Sequence, residues 1–224
     1  MNIVTGTVEF VADNYRVIKL IMELRSRGIS NTSVLSALEK VPRELFVPEM
    51  FALEAYNNST LPIECGQTIS QPYVVALMTE KLDLNDRCKI LEIGTGTGFQ
   101  TAILAQLCRR VYTIERYRLL LEDAEFRFRK LRLTNITSMT GDGTKGWPAQ
   151  APFDRIIVTA AAPQVPDELL AQLKPGGKMI VPVDNAQGEQ DLVLFHKAED
   201  ETISTDVLCV VRFVPLVPGV IKDS

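Results

Sequence analysis

The sequence predicts an α/β domain: a doubly wound, mostly parallel seven-stranded sheet with a helical N-terminal extension and a C-terminal antiparallel strand pair. Three observations lead there. Apolar residues before position 85 recur at helical spacing, and from Lys89 onward short β-rich runs alternate with helical stretches. The last two such runs, Asp191 to Lys197 and Thr205 to Phe213, are joined by only a short polar link. Strand–helix alternation argues a parallel sheet covered on both faces, whereas a short link suits an antiparallel hairpin. By texture the chain reads as a single domain over 1–224, with a helical region at 1–85, an α/β core at 86–186 and C-terminal strands at 187–224.

The elements follow in order. Val17, Ile18, Ile21 and Leu24 mark a first helix that stops at Gly28, a natural C-terminal cap position. Ser30 or Asn31 caps a second, with Val34, Leu35, Leu38 and Val41 on one face and Pro42 ending it. Up to Pro62 the mixture of Pro, Asn and short apolar clusters reads as irregular structure and short helical turns. Thr68-Ile69-Ser70-Gln71-Pro72 is then a polar entry to a helix buried along Val74, Leu77, Met78 and Leu82, with Pro72 in the first turn.

Strands are predicted from Lys89, at Val111 to Glu115, near Ile136, at Phe153 to Thr159 and at Lys178 to Val183, the last behind a turn Lys174-Pro175-Gly176-Gly177. Helices between them carry Phe99, Ala102, Ile103 and Leu107, then Leu120, Ala124, Phe128 and Leu131, then Pro166 to Leu173.

Composition narrows the function. Of 224 residues, 46% are hydrophobic and 23% charged, the proportions of an ordinary globule. With 24 basic and 28 acidic residues the net charge is −4, which disfavours bulk nucleic-acid binding. Arg116, Arg118, Arg127, Arg129, Lys130 and Arg132 are interleaved with Glu122, Asp123 and Glu125, so they read as a solvated helix face. No apolar run reaches the ~18 residues that a membrane span requires. Glu9 and Asp13 interrupt the first twenty residues, so no signal peptide is expected. Cys65, Cys88, Cys108 and Cys209 contain no C-x-x-C pair and read as reduced thiols, without a metal site, in a cytoplasmic protein. A monomer is the default expectation.

The chemistry is concentrated after the first predicted strand of the core. Gly94-Thr95-Gly96-Thr97-Gly98 leads from strand to helix, where glycines let backbone N–H groups approach a ligand. The dinucleotide pattern G-x-G-x-x-G fails at Phe99, and no Gly-Lys-Ser/Thr follows for a phosphate loop. Glu92 precedes the turn, and Glu115 ends the next strand, where a carboxylate can accept both hydroxyls of a ribose. An adenosine-bearing ligand without pyrophosphate is therefore expected. S-adenosylmethionine fits, because Glu92, Glu115 and Asp142 would favour its sulfonium cation and repel a triphosphate. Asp142, in Gly141-Asp142-Gly143 after the third strand, is placed to meet the adenine, although Asp-Gly is also a common turn pair.

With these residues in hand, the chain resembles the protein-L-isoaspartate O-methyltransferase family, especially its bacterial form. Pro62 to Pro72, containing Thr68-Ile69-Ser70-Gln71-Pro72, is similar to the family's T-I-S-x-P segment, and Leu91 to Ala102 to its cofactor loop. Val41-Pro42-Arg43-Glu44, Gly141-Asp142-Gly143 and Val211 to Val217 agree as well, so the resemblance runs from about residue 15 to 218. There are two departures: Tyr73 and Val75 stand where many relatives have histidine, and Cys65 where a small or polar residue is expected.

The resemblance implies a methyltransferase-like sheet with its last two strands interchanged. It also implies methyl transfer from S-adenosylmethionine to the α-carboxyl of L-isoaspartyl residues in damaged proteins and peptides, with 1–85 on the substrate side. Thr68, Glu92, Gly94, Thr95, Gly96, Glu115, Asp142 and Gly143 are the candidates for holding the cofactor. Ile69, Ser70, Val214, Pro215 and Leu216 are those for the substrate, and Ser70 is the candidate catalytic residue. Ser70 would donate its hydroxyl to the acceptor carboxylate; a helix N-cap is its other plausible role. A carboxylate is already ionised at pH 7 and needs no general base. The single histidine, His196, reads as a solvent-facing strand residue remote from these motifs. A small-molecule methyltransferase on the same fold would share Gly94, Gly96 and Glu115 but has no reason to carry Thr68-Ile69-Ser70. A non-catalytic binding paralogue would share them all.

Overall fold

A computed structural model describes the backbone of residues 4–221 and the side chains of residues 15–221. Helix α1 (Val4–Ser26) ends as predicted at Gly28, whose φ of +97° few other residues tolerate. The Ile29 N–H reaches the Leu24 carbonyl at 3.1 Å and the Gly28 N–H that of Arg25 at 3.0 Å, a Schellman closure with Leu24 and Ile29 both buried. The buried face of α1 is Leu20 and Leu24; Ile18, expected on the stripe, is exposed. Helix α2 (Thr32–Lys40) takes Asn31 as its N-cap, the side chain accepting from the N–H groups of Ser33 and Val34.

The stretch expected to hold irregular structure and short helical turns contains two 3-10 turns, Arg43–Phe46 and Glu49–Glu54, and also one strand of a small antiparallel pair. In that pair β1 (Leu61–Pro62) lies against β2 (Thr68–Ile69), so Thr68 and Ile69 are held extended just before α3 (Pro72–Lys81). The buried residues of α3 are Val75, Ala76, Leu77, Met78 and Thr79; Val74, predicted inside, is only half-buried.

The large sheet contains β3 (Lys89–Ile93), β4 (Arg110–Glu115), β5 (Ile136–Thr140), β6 (Phe153–Val158), β7 (Leu173–Asp184), β8 (Gln190–Lys197) and β9 (Ile203–Val211), in the order β5-β4-β3-β6-β7-β8-β9. Pairings from β5 through β7 are parallel, and β8 and β9 follow antiparallel. Helices α4 (Phe99–Ala105), α5 (Arg118–Lys130) and α6 (Asp167–Ala171) connect the strands. Alternation along β3 sends Ile90 into the core shared with the N-terminal helices and Leu91 and Ile93 into the one below α6. The chain reverses its direction across the sheet between β5 and β6, which makes the carboxyl edge of β3 and β6 a topological switch point.

Other expectations need revision. Lys174 to Gly177 is a bulge inside β7: the register passes from Phe153–Leu173 to Arg155–Lys178, and Lys174 pairs with the Asp154 left between them. Strand β9 ends at Val211, so Phe213 is not part of it. Cys65 is exposed with φ +57°, a left-handed conformation that accounts for a small residue being expected there. The basic residues of α5 do form a solvated face, with Arg118–Glu122, Arg127–Asp123 and Arg129–Glu125 pairs one turn apart. His196 lies on β8 with Nε2 3.1 Å from Asp206.

Candidate functional site

A pocket opens at the switch point, with about 820 Å³ of empty space including its mouth. Three groups of residues line it: Gly94 to Thr97 with Phe99 and Gln100; Glu115 to Tyr117; and Thr68, Ile69, Ser70 facing Val214, Pro215, Leu216. Thus two sets of residues predicted from separate motifs share one cavity.

The loop after β3 follows from sterics. Gly94 has φ +95°, and a Cβ there would lie 2.4 Å from Thr159 Oγ1, so no larger residue fits. Thr159, just past β6, donates its hydroxyl to the Gly94 carbonyl at 2.7 Å, tying the two crevice strands together. Gly143, on the next loop, has its Cα equally close-packed, with Ile93 2.4 Å from a would-be Cβ.

Glu115 ends β4 at the pocket wall. Its Oε2 accepts from the Gly96 N–H at 2.8 Å, and its Oε1 from those of Arg116 at 2.8 Å and Tyr117 at 3.0 Å. Three N–H donors lock the carboxylate in place and leave acceptor capacity for a ligand.

Glu92, expected beside it, does not line the pocket. Strand alternation turns it toward α4, where it is fully buried and accepts hydroxyls from Thr101 at 2.5 Å and Thr113 at 2.6 Å. Burial pushes its pKa up to about 8 against these two hydrogen bonds, with the nearby Glu115 charge adding to the rise. It is therefore mostly neutral at pH 7 and offers no counter-charge to a cation. Thr95 is the link to the pocket: its hydroxyl lies 2.6 Å from that of Thr113, so Glu92 supports the loop from behind.

Asp142 is a second correction, because it too lies off the pocket lining. Its Oδ1 caps the 3-10 turn Gly143–Lys145, accepting from the Thr144 N–H at 3.0 Å and hydroxyl at 2.7 Å. Partial desolvation raises its pKa, but the bonds from Thr144 and the Gly219 N–H outweigh it, and the net shift is downward. Gly143, not the carboxylate, reaches the cavity.

Ser70 lines the pocket without capping α3. The N-cap is Gln71, no side chain caps that helix end, and the Ser70 hydroxyl has no hydrogen bond to another described residue. Opposite it, Val214 to Leu216 is not a strand end but a strap: the Ala161 N–H bonds the Val214 carbonyl at 2.8 Å, and the Leu216 N–H the Ala161 carbonyl at 2.7 Å. Thr159, Gln100 and Tyr117 are pocket residues that the sequence reading missed. Pairing of β6 beside β3 would have pointed to Thr159; the other two carry no sequence signal.

The cavity suits S-adenosylmethionine by the single carboxylate among its lining residues, at the end of β4, and by the glycine loop that a side chain would fill. Among the described residues no cluster of metal ligands occurs, and no helix is long and apolar enough to cross a membrane.

Residues 15–220 match the protein-L-isoaspartate(D-aspartate) O-methyltransferase family. The chain belongs to that family. The protein-L-isoaspartate O-methyltransferase of Parvibaculum lavamentivorans is 59% identical over 209 residues, 92% of this chain and 94% of the relative. That of Maricaulis maris is 57% identical over 204 residues, 91% of this chain and 95% of its own. A solved protein-L-isoaspartate O-methyltransferase superimposes with a TM-score of 0.78 at 30% identity, over 89% of this chain and 65% of that one. A Plasmodium falciparum structure, solved with S-adenosyl-L-homocysteine, gives 0.78 at 24% identity over 89% of this chain and 97% of its own, and so speaks for the fold.

Proposed function

We propose that this pocket transfers a methyl group from S-adenosylmethionine to the α-carboxyl of L-isoaspartyl residues in damaged proteins and peptides, initiating repair through a succinimide. The observation that carries the reading is the meeting of Gly94–Gly96 and Glu115 with Thr68–Ser70 and Val214–Leu216 around one cavity. A small-molecule methyltransferase would need only the first of these walls.

When bound, S-adenosylmethionine supplies an electrophilic methyl carbon on a sulfonium. Glu115 accepts the ribose hydroxyls, while Gly94, Thr95, Gly96 and Gly143 shape the floor and Thr68 borders both ligands. The acceptor carboxylate arrives ionised, so none of these residues has to remove a proton. Ser70 donates its free hydroxyl to one carboxylate oxygen and turns the other toward the methyl carbon. Ile69, Val214, Pro215 and Leu216 hold the peptide and exclude water, and orientation of this kind supplies on the order of 7 to 11 kcal/mol. The ester has a better leaving group than the acid, so ring closure to the succinimide proceeds off the enzyme and hydrolysis returns some normal aspartate. The reading implies isoaspartyl proteins as partners, met by a monomer in the cytoplasm; the net charge of −4 disfavours bulk nucleic-acid binding.

Paired peptides carrying Asp or isoAsp at one site, incubated with labelled S-adenosylmethionine, test it. The isomers have equal charge, so only geometry separates them, and a misplacement of about 1 Å is worth ~100-fold in rate. The isoaspartyl peptide is expected to be methylated at least that much faster. Comparable initial rates, or methylation of a small metabolite alone, would overturn the reading.

A further inference from the structure

Arg43 is the one basic side chain among the buried polar residues that the structure describes, 1% exposed, and its contacts with Ser70 and Phe99 place it behind the acceptor wall of the pocket. Its Nε donates to the Ala55 carbonyl at 2.9 Å and its Nη2 to the Ser70 carbonyl at 2.8 Å. The guanidinium carbon sits 4.6 Å from the centroid of the Phe99 ring. Ser70 and Phe99 both line the pocket; Arg43 does not. The remaining nitrogen, Nη1, is buried with no hydrogen-bond partner.

No carboxylate of the described residues forms an ion pair with this cation. Glu44, next in the chain, is bound instead by the Tyr56 hydroxyl. Burial pulls the guanidinium pKa down to about 9, with Tyr56 acting in the opposite direction, so the group stays charged at pH 7. Buried charges are otherwise paired, because an unpaired one is expensive to desolvate. Two neutral carbonyls and a ring face only partly offset that loss.

We propose that Arg43 is a positioning residue for methyl transfer, its unpaired guanidinium fixing the Ser70 peptide and supplying the positive charge against which the acceptor carboxylate binds. The inference rests on the reading of the pocket above and adds to it the source of the acceptor's counter-charge. In that arrangement the missing anion is the substrate's own carboxylate, which the Ser70 hydroxyl meets directly and Arg43 attracts through the peptide it holds. It also gives a physical reason for Ser70 lining the cavity rather than capping α3: the Ser70 carbonyl is tied back to Arg43.

The test compares wild type, Arg43→Met and Arg43→Lys with two peptides, one bearing isoaspartate and one bearing the uncharged isoasparagine amide as a competitive inhibitor. Wild type is expected to bind the carboxylate peptide about tenfold more tightly than the amide. Arg43→Met should erase that preference and raise KM for the isoaspartyl peptide, with S-adenosylmethionine affinity unchanged by calorimetry. Arg43→Lys keeps the charge but cannot bond both carbonyls, so the preference should survive while kcat falls. An unaltered preference in Arg43→Met would overturn the proposal. Should that variant not fold, loss of the preference in Arg43→Lys would overturn it equally. If wild type methylates no isoaspartyl peptide, the failure belongs to the reading of the pocket, whereas the carboxylate preference still reports on Arg43.

Discussion

On the cofactor side of the pocket, the wall from Ile93 to Phe99 is continuous chain, a strand feeding a turn feeding a helix, backed by Glu92 and closed by the end of the neighbouring strand. The acceptor side is assembled from pieces remote in sequence: Arg43 under Ser70, a two-residue strand at Thr68–Ile69, and a strap at Val214–Leu216 held by Ala161. The difference shows in how each side manages charge. The cofactor wall holds two acidic residues in opposite states, Glu115 surrounded by N–H donors at the cavity and Glu92 buried and driven toward neutrality. The acceptor wall holds a cation with no anion beside it. Both sides keep buried polar atoms without a hydrogen-bond partner among the described residues, Glu92 Oε1 and Gln100 Oε1 on one and Arg43 Nη1 on the other, but only Arg43 belongs to a group that stays charged at pH 7.

Three experiments sharpen that contrast. The largest effect is expected from Glu115→Gln, which removes the charge and offers an NH2 where N–H donors converge. Losing a charged hydrogen-bonding partner costs about 1.5–3 kcal/mol, so the dissociation constant for S-adenosylmethionine should rise roughly 10- to 100-fold in a calorimetric titration. Glu115→Ala would also strand the N–H groups of Gly96, Arg116 and Tyr117 and lower the melting temperature, which makes it the poorer probe. An unchanged constant in the Gln variant would remove Glu115 from the ligand's contacts.

Next in size, Ser70→Ala should reduce kcat about tenfold, on the scale of one hydrogen bond to a charged group. Cofactor affinity and melting temperature should hold, because the hydroxyl caps nothing. A drop in melting temperature with unchanged turnover per folded molecule would place the hydroxyl in the fold instead.

The smallest effect concerns Glu92→Gln, read as stability against pH. The folded-state pKa of about 8 lies above the ordinary glutamate value of 4.5, so the folded protein binds the proton more tightly than the unfolded chain. Stability linked to this group is fully present below about pH 4.5 and declines as pH rises toward 8. The Gln variant mimics the neutral acid and lacks that decline, so its melting temperature relative to wild type should climb by a few degrees between pH 5.5 and 8. A constant gap across the range would mean that Glu92 titrates normally.

The order of strands and helices, the glycine loop and the carboxylate at the end of β4 were legible from sequence, because each depends on neighbours within about one element. Periodicity reads burial along a helix, and the φ that Gly94 must adopt is a property of its own backbone. The same local signals misread Glu92, since an acidic residue next to a ligand loop looks alike whether it faces the ligand or the core. The parity of β3 and its packing on α4 decided the matter. Asp142 misled for a related reason, its turn-capping role and a ligand role sharing one dipeptide. The bulge at Lys174 to Gly177 appeared as a turn because proline and glycine report a break in regular backbone, not whether the strand resumes on the same side.

By itself, then, the sequence determined the layered α/β class, the family and the two walls by their motifs. Only the tertiary structure decided which carboxylate lines the pocket, that Val214–Leu216 returns to Ala161 as a strap, and that Arg43 has no ion-pair partner among the described residues behind Ser70. Those outcomes depend on distances between residues far apart in the chain, which are set by packing over the whole core.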